Sequence, residues 1–159
     1  MLNVLETKER LYWLQQALLK TSPTVVQVSL ALPGGYSIYP WESLYAEAKE
    51  TVIAHLTAIG AVLDAVIDIQ TAIGPVCFLP TKSRGLEMKA HMVWLEETAP
   101  KGRLWDLDVI TGEGALDRTA LGSSPRRCLV CSEEAHICRR LGSHDPDEVV
   151  EAARTILGR

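Results

Sequence analysis

The chain has 159 residues, 47% of them hydrophobic, and a formal net charge of −4, which describes one domain, residues 1–159, with enough chain for a real core. The acidic balance argues against nonspecific attraction to nucleic acid or to an anionic membrane. Apolar runs break within about ten residues, far short of the ~20 that span a bilayer, and Glu6, Lys8, Glu9 and Arg10 stand where an export signal needs an apolar stretch, so a cytoplasmic location is expected.

Residues 4–20 read as a helix with Val4, Leu5, Leu11, Tyr12, Leu18 and Leu19 on one stripe, ended by Ser22-Pro23. Residues 24–32 alternate, with Val26, Val28, Leu30 and Leu32 on one side, as a half-buried strand does. Pro33-Gly34-Gly35 breaks that strand. Trp41, Leu44, Tyr45, Ala48, Val52, His55, Leu56 and Ile59 then recur at helical steps until Gly60, and His55 on that stripe reads as a packed histidine. Residues 61–71 and 75–80 read as two strands around Ile73-Gly74-Pro75, with Cys77 a small buried hydrophobe. A helix over 82–97 places Leu86, Ala90, Val93, Trp94 and Glu97 on one face, widened by Met88, Met92 and Leu95.

The next strand, Gly102-Arg-Leu-Trp-Asp-Leu-Asp-Val-Ile110, carries the sharpest chemical signal. Asp106 and Asp108 lie two apart, so an extended chain projects both carboxylates from one face. Two such groups repel, and one tends to keep its proton unless a cation lies between them. A hard cation such as Mg²⁺ relieves the conflict and presents itself to phosphate oxygens. A solvated strand face is the competing reading. Up to this point the order is β-α-β-β-α-β after an N-terminal helix. That is the order of a ferredoxin-like α+β sandwich, an antiparallel sheet with its helices on one face. Trp105, Leu107 and Val109 then face the helices, leaving Asp106 and Asp108 on a helix-free side.

Thr111-Gly112-Glu113-Gly114 is a turn, and Ala115–Leu121 a candidate short strand. Onward to residue 144 the chain reads as loop, basic through Arg118, Arg126, Arg127, Arg139 and Arg140 against Glu133 and Glu134. Guanidinium forks suit phosphate oxygens, though a solvated basic loop reads the same way. Cys128-x2-Cys131-x4-His136-x-Cys138 offers three thiolates and an imidazole, a set suited to tetrahedral Zn²⁺, with His144 as a spare. Buried free thiols and a redox Cys-x2-Cys pair remain alternatives. Asp145-Pro146-Asp147-Glu148 opens a final helix.

Gly102–Ile110, Arg118, Leu121-Gly122, Pro125-Arg-Arg-Cys-Leu-Val-Cys131, Ala135-His-Ile-Cys138 and His144, with Leu30-Ala-Leu-Pro-Gly34 earlier, resemble the apo-citrate lyase phosphoribosyl-dephospho-CoA transferases, also known as citrate lyase holo-acyl-carrier-protein synthases. The resemblance implies a nucleotidyltransferase. Its donor would be 2′-(5″-triphosphoribosyl)-3′-dephospho-CoA and its acceptor a serine of the acyl carrier (gamma) subunit of citrate lyase, with pyrophosphate released. Asp106 and Asp108 would then hold Mg²⁺ as the catalytic pair, and Arg118, Arg126, Arg127 and Arg103 would bind phosphate. No clear Gly-Ser element precedes the aspartates, as it does in many nucleotidyltransferases. The alternative is a zinc-stabilised module that docks on a carrier or lyase subunit without chemistry.

Overall fold

The last eight residues of the hairpin, Gly74–Thr81, are buried without exception, and the architecture follows from the need to cover them on both sides. The structure is a computed structural model describing residues 3–158. Its elements are α1 (Val4–Leu18), β1 (Thr24–Leu30), α2 (Trp41–Ala58), β2 (Ile67–Thr71), β3 (Gly74–Thr81), α3 (Gly85–Thr98), β4 (Trp105–Thr111), β5 (Gly114–Ala115), α4 (Ala135–Leu141) and α5 (Pro146–Leu157). They build an α+β fold around one antiparallel sheet in the order β2-β3-β1-β4-β5.

Register sorts the side chains. Val26 stands opposite Leu79 and Val109, and Val28 opposite Cys77 and Leu107, so these residues share a face. That face packs under Leu44, Val52 and Leu56 of α2, Met88, Met92 and Leu95 of α3, and Ala153 and Ile156 of α5. Each Val, Leu, Ile or Met among them contributes about 1.5–3 kcal/mol on full burial, which makes this the principal core.

The other face is not free of helices. Val25, Val76 and Phe78 pack there against Leu11, Leu14 and Leu18 of α1. The reason lies in β3, whose Val76-Cys77-Phe78-Leu79 run is apolar at consecutive positions and therefore needs cover above and below. Helix α1 supplies the second cover, started by a capping box between Asn3 and Glu6. Its buried stripe takes in Leu14, while Val4, Leu5 and Tyr12 stay exposed. Toward β4 this face turns polar: Gln15 of α1 donates to Gln27 at 2.6 Å, Gln27 stands opposite Asp108, and Ser29 stands opposite Asp106.

Several local expectations shift. The first hairpin strand begins at Ile67, with only an isolated Leu63–Thr81 bridge before it. Past the turn, Gly114–Ala115 pair briefly with β4, and Arg118–Leu121 form a 3₁₀ turn in place of the candidate strand. The basic loop contains helix α4. Helix α3 is rotated from the expected face: Leu86 and Trp94 are exposed, whereas Lys89 and Glu96 are buried beside Met88, Met92 and Leu95. Gly102 lets the chain turn tightly under the end of α3, because a Cβ there would lie 2.5 Å from the Leu95 carbonyl oxygen and 2.6 Å from that of Glu96.

Candidate functional site

Strand β4 is paired with β1 along its whole length, but on its outer side β5 reaches only Ile110 and Thr111. The remaining outer backbone groups need partners from elsewhere. Helix α3 provides them at Leu107. Its N–H donates to Glu96 Oε1 at 2.9 Å, and its carbonyl accepts from Lys89 Nζ at 3.3 Å. Lys89 and Glu96 lie about two helical turns apart and are only 5% and 4% exposed. Such burial is tolerable for a charge only when it is paired and hydrogen-bonded. Glu96 meets the condition with two arginines: Arg118 Nη2 donates to its Oε2 at 2.6 Å, and Arg126 Nη2 lies 3.3 Å from its Oε1. Arg118 also reaches Glu97 at 3.0 Å, and Arg126 donates to the Trp105 carbonyl.

Asp106 and Asp108 flank this capped residue on the same strand face. Both line a cleft of about 400 Å³ together with Lys89, Glu96, Arg118 and Arg126, and His136 lies at the same cleft. Burial, followed by the charge of Asp106, pushes the Asp108 carboxyl up to about 6; Glu96 adds to the effect, while Lys89 and Arg126 oppose it. The acids therefore sit in the electrostatic conflict that a bound cation would relieve. Lys89 and Glu96 are the residues that sequence reasoning missed here. Their signal was available as two charged positions beside the Met88–Met92–Leu95 stripe, where a solvated face would not put them.

The four arginines expected to serve phosphate divide between two places. Arg118 and Arg126 line the acid cleft and also a larger adjoining cavity of about 940 Å³. Arg103 and Arg127 line the larger cavity. Arg103 has a bracing role, since its Nη2 donates to the carbonyls of Cys128 at 2.6 Å and Arg127 at 3.1 Å. It ties the segment after residue 112 to the start of β4.

That segment closes on a sulfur–imidazole cluster. One ligand atom from each of Cys128, Cys131, Cys138 and His144 lies within 4.8 Å of the others. Cys131 Sγ is 3.5 Å from Cys138 Sγ and 3.3 Å from His144 Nε2. Burial opposes ionisation of Cys128, but hydrogen bonds from the backbone N–H groups of Val130 and Cys131 prevail and bring the thiol down to about 7. Burial and the neighbouring thiols push Cys138 up to about 11. A single cation shared by the four groups would resolve this uneven sharing of protons.

His136 is not the fourth member of the cluster; His144 is. Helix α4 explains the exchange. Positions 136 and 138 are two apart, roughly 200° around a helix, so both cannot point into one cluster. Gly142, with φ of 59°, ends α4 in the left-handed conformation and turns the chain back so that His144 reaches Cys131. The His136 ring lies 3.4 Å from the Glu134 carboxylate.

A family model described as apo-citrate lyase phosphoribosyl-dephospho-CoA transferase matches residues 1–159. Among curated relatives, the Haemophilus influenzae protein named CitXG is 34% identical over 94% of this chain. The chain spans 32% of that longer protein. A Streptococcus pyogenes protein named probable apo-citrate lyase phosphoribosyl-dephospho-CoA transferase is 32% identical, covering 98% of this chain and 83% of its own length. An Escherichia coli protein of the same name, without "probable", is 35% identical over 55% of the chain and 48% of its own length.

Proposed function

The chain belongs to the apo-citrate lyase phosphoribosyl-dephospho-CoA transferase family, and on that premise we propose that it attaches the phosphoribosyl-dephospho-CoA prosthetic group to the acyl carrier (gamma) subunit of citrate lyase. The donor is the 5″-triphosphate of that group. A carrier serine oxygen bonds to the phosphorus nearest the ribose, the bond from that phosphorus to the β-phosphate bridging oxygen breaks, and pyrophosphate leaves. The serine proton is released in the same exchange.

One observation carries this reading: a paired acid, Asp106 and Asp108, shares a cleft with Arg118, Arg126 and the buried cation Lys89. Asp106 and Asp108 would hold Mg²⁺, which when bound supplies positive charge at the attacked phosphate. Arg118 and Arg126 place fixed guanidinium groups where the leaving phosphates gather charge, and Glu96 holds both in position. Lys89 adds a cation whose surroundings are too dry for water to screen it.

The strand order β2-β3-β1-β4, with α2 joining β1 to β2 and α3 joining β3 to β4, supports a ferredoxin-like assignment for a single domain over 1–159. Cys128, Cys131, Cys138 and His144 fit a structural Zn²⁺ by donor type and spacing. No helix among the described residues is long and apolar enough to cross a membrane, and the reading places the enzyme in the cytoplasm with its carrier.

Asp106→Asn and Asp108→Asn, followed with labelled donor and apo-carrier, test the proposal. Transfer is expected to fall by roughly 100- to 1000-fold while circular dichroism is kept. Undiminished transfer by both variants would take the acid pair out of the reaction, and no transfer by the parent protein would leave the non-catalytic docking module as the better account. Metal analysis of chelator-free protein is expected to show one zinc per chain, lost in Cys131→Ser; a metal-free, fully folded protein would remove the zinc.

A further inference from the structure

The acid cleft, at about 400 Å³, is too small for the whole donor. Besides the reacting triphosphate, the dephospho-CoA portion carries adenine, a 5′-diphosphate of its own and a pantetheine arm. A protein that reads all of it needs a second anion-binding station and an apolar surface next to the reaction cleft. The larger cavity meets both requirements. Its volume of about 940 Å³ lies near the top of the ~300–1,000 Å³ range of small-molecule sites. It shares Glu96, Arg118, Pro125 and Arg126 with the acid cleft, so the two volumes meet at a common wall. Beyond that wall it holds Arg127 and Arg139, with Arg103 and one further acid, Glu97, and its apolar lining includes Leu32, Leu129, Val149 and Val150.

Resting on the transferase reading, we infer that this larger cavity is the subsite for the dephospho-CoA portion of the donor. Arg127 and Arg139 pair with the 5′-diphosphate, and the wall formed by Leu32, Leu129 and Val150 covers the apolar part of the nucleotide. Arg118 and Arg126 stand at the junction, where the ribose triphosphate crosses to Asp106 and Asp108. The arrangement divides the work, with recognition of the group on one side of Glu96 and phosphoryl transfer on the other. It also gives the cysteine–histidine cluster a place in binding, because Cys128, Cys138 and His144 line the same cavity.

Dephospho-CoA alone, lacking the triphosphoribosyl group, is the probe. Calorimetric titration of the full chain is expected to show binding, and the ligand is expected to inhibit transfer competitively with the donor. Val150→Trp, which fills the cavity, and Arg139→Ala, on the exposed side of α4 and safe for folding, are each expected to weaken that binding roughly tenfold or more. Asp106→Asn is expected to bind dephospho-CoA as the parent does. No binding by the parent, or parent-like binding by both cavity variants, overturns the subsite even if Asp106→Asn has lost transfer. No transfer by the parent overturns the reaction assignment instead, and parent-like transfer by Asp106→Asn removes that acid from the reaction, whatever the cavity variants do.

Discussion

The sheet with α2 and α3 and the segment from Gly112 to His144 are held together by different physics. In the first, apolar side chains interlock across a register set by alternation, and every residue of β3 is buried. In the second, the only buried hydrophobic side chains are Cys128 and Cys138. Guanidinium bonds to Glu96 and to the carbonyls of Trp105, Arg127 and Cys128 fasten it to the sheet, and one knot of thiols and imidazole ties it to itself. A segment secured by few, directional, charged contacts can present its arginines to a ligand. A segment secured by packing would have buried them.

The contrast predicts how each region fails. Leu79→Ala, in the core beneath α2, is expected to lower the stability of the whole chain by about 2–5 kcal/mol, measured as one cooperative shift in thermal or urea unfolding. A second, separate transition would show that the segment and the sheet unfold apart. Glu96→Gln should cost about 3 kcal/mol, because it leaves Arg118 and Arg126 beside a neutral group. Hydrogen exchange should locate the loosening at residues 116–127, with β1 and β3 amides unaffected.

Asp108→Asn goes in the opposite direction. The folded-state carboxyl is raised to about 6 from 3.8, so the folded chain prefers this group protonated. The contribution of this group to stability is then fully present below about pH 4 and is lost as pH rises through about 6. In metal-free protein at pH 7 the asparagine variant is expected to be more stable by about 1–3 kcal/mol. Its advantage should vanish near pH 4, a profile that melting temperatures across that range will show. The smallest effect belongs to His136→Ala, expected to leave zinc content intact and stability within about 0.5 kcal/mol. His144→Ala should release the metal. Zinc loss in His136→Ala would restore the ligand set expected from spacing alone.

Legibility followed the same division. The stripe of α2 was readable because Leu44, Ala48, Val52 and Leu56 repeat at the helical period and are buried as a set. The placement of Asp106 and Asp108 on one face was readable because a strand has a period of two. The α1 cover was half readable: the helix was plain, but its destination depended on recognising that β3 is apolar on both sides. Lys89 and Glu96 were missed because a charged residue on a helix is by default assigned to water. Only the incomplete pairing of β4 creates the backbone groups that draw them inward. His136 displaced His144 in the sequence reading because α4 is short, and its seven residues carry too little periodicity to announce themselves.

By itself the sequence determined the element order through β4, the principal core face, the acid pair and the thiols, since each rests on spacing along one segment, where local geometry has few options. Only the tertiary structure decided which arginines reach the acids, which histidine joins the sulfurs and what caps the open edge of β4. Those are meetings between segments far apart in the chain, set by sheet order and by where α3 crosses the strand.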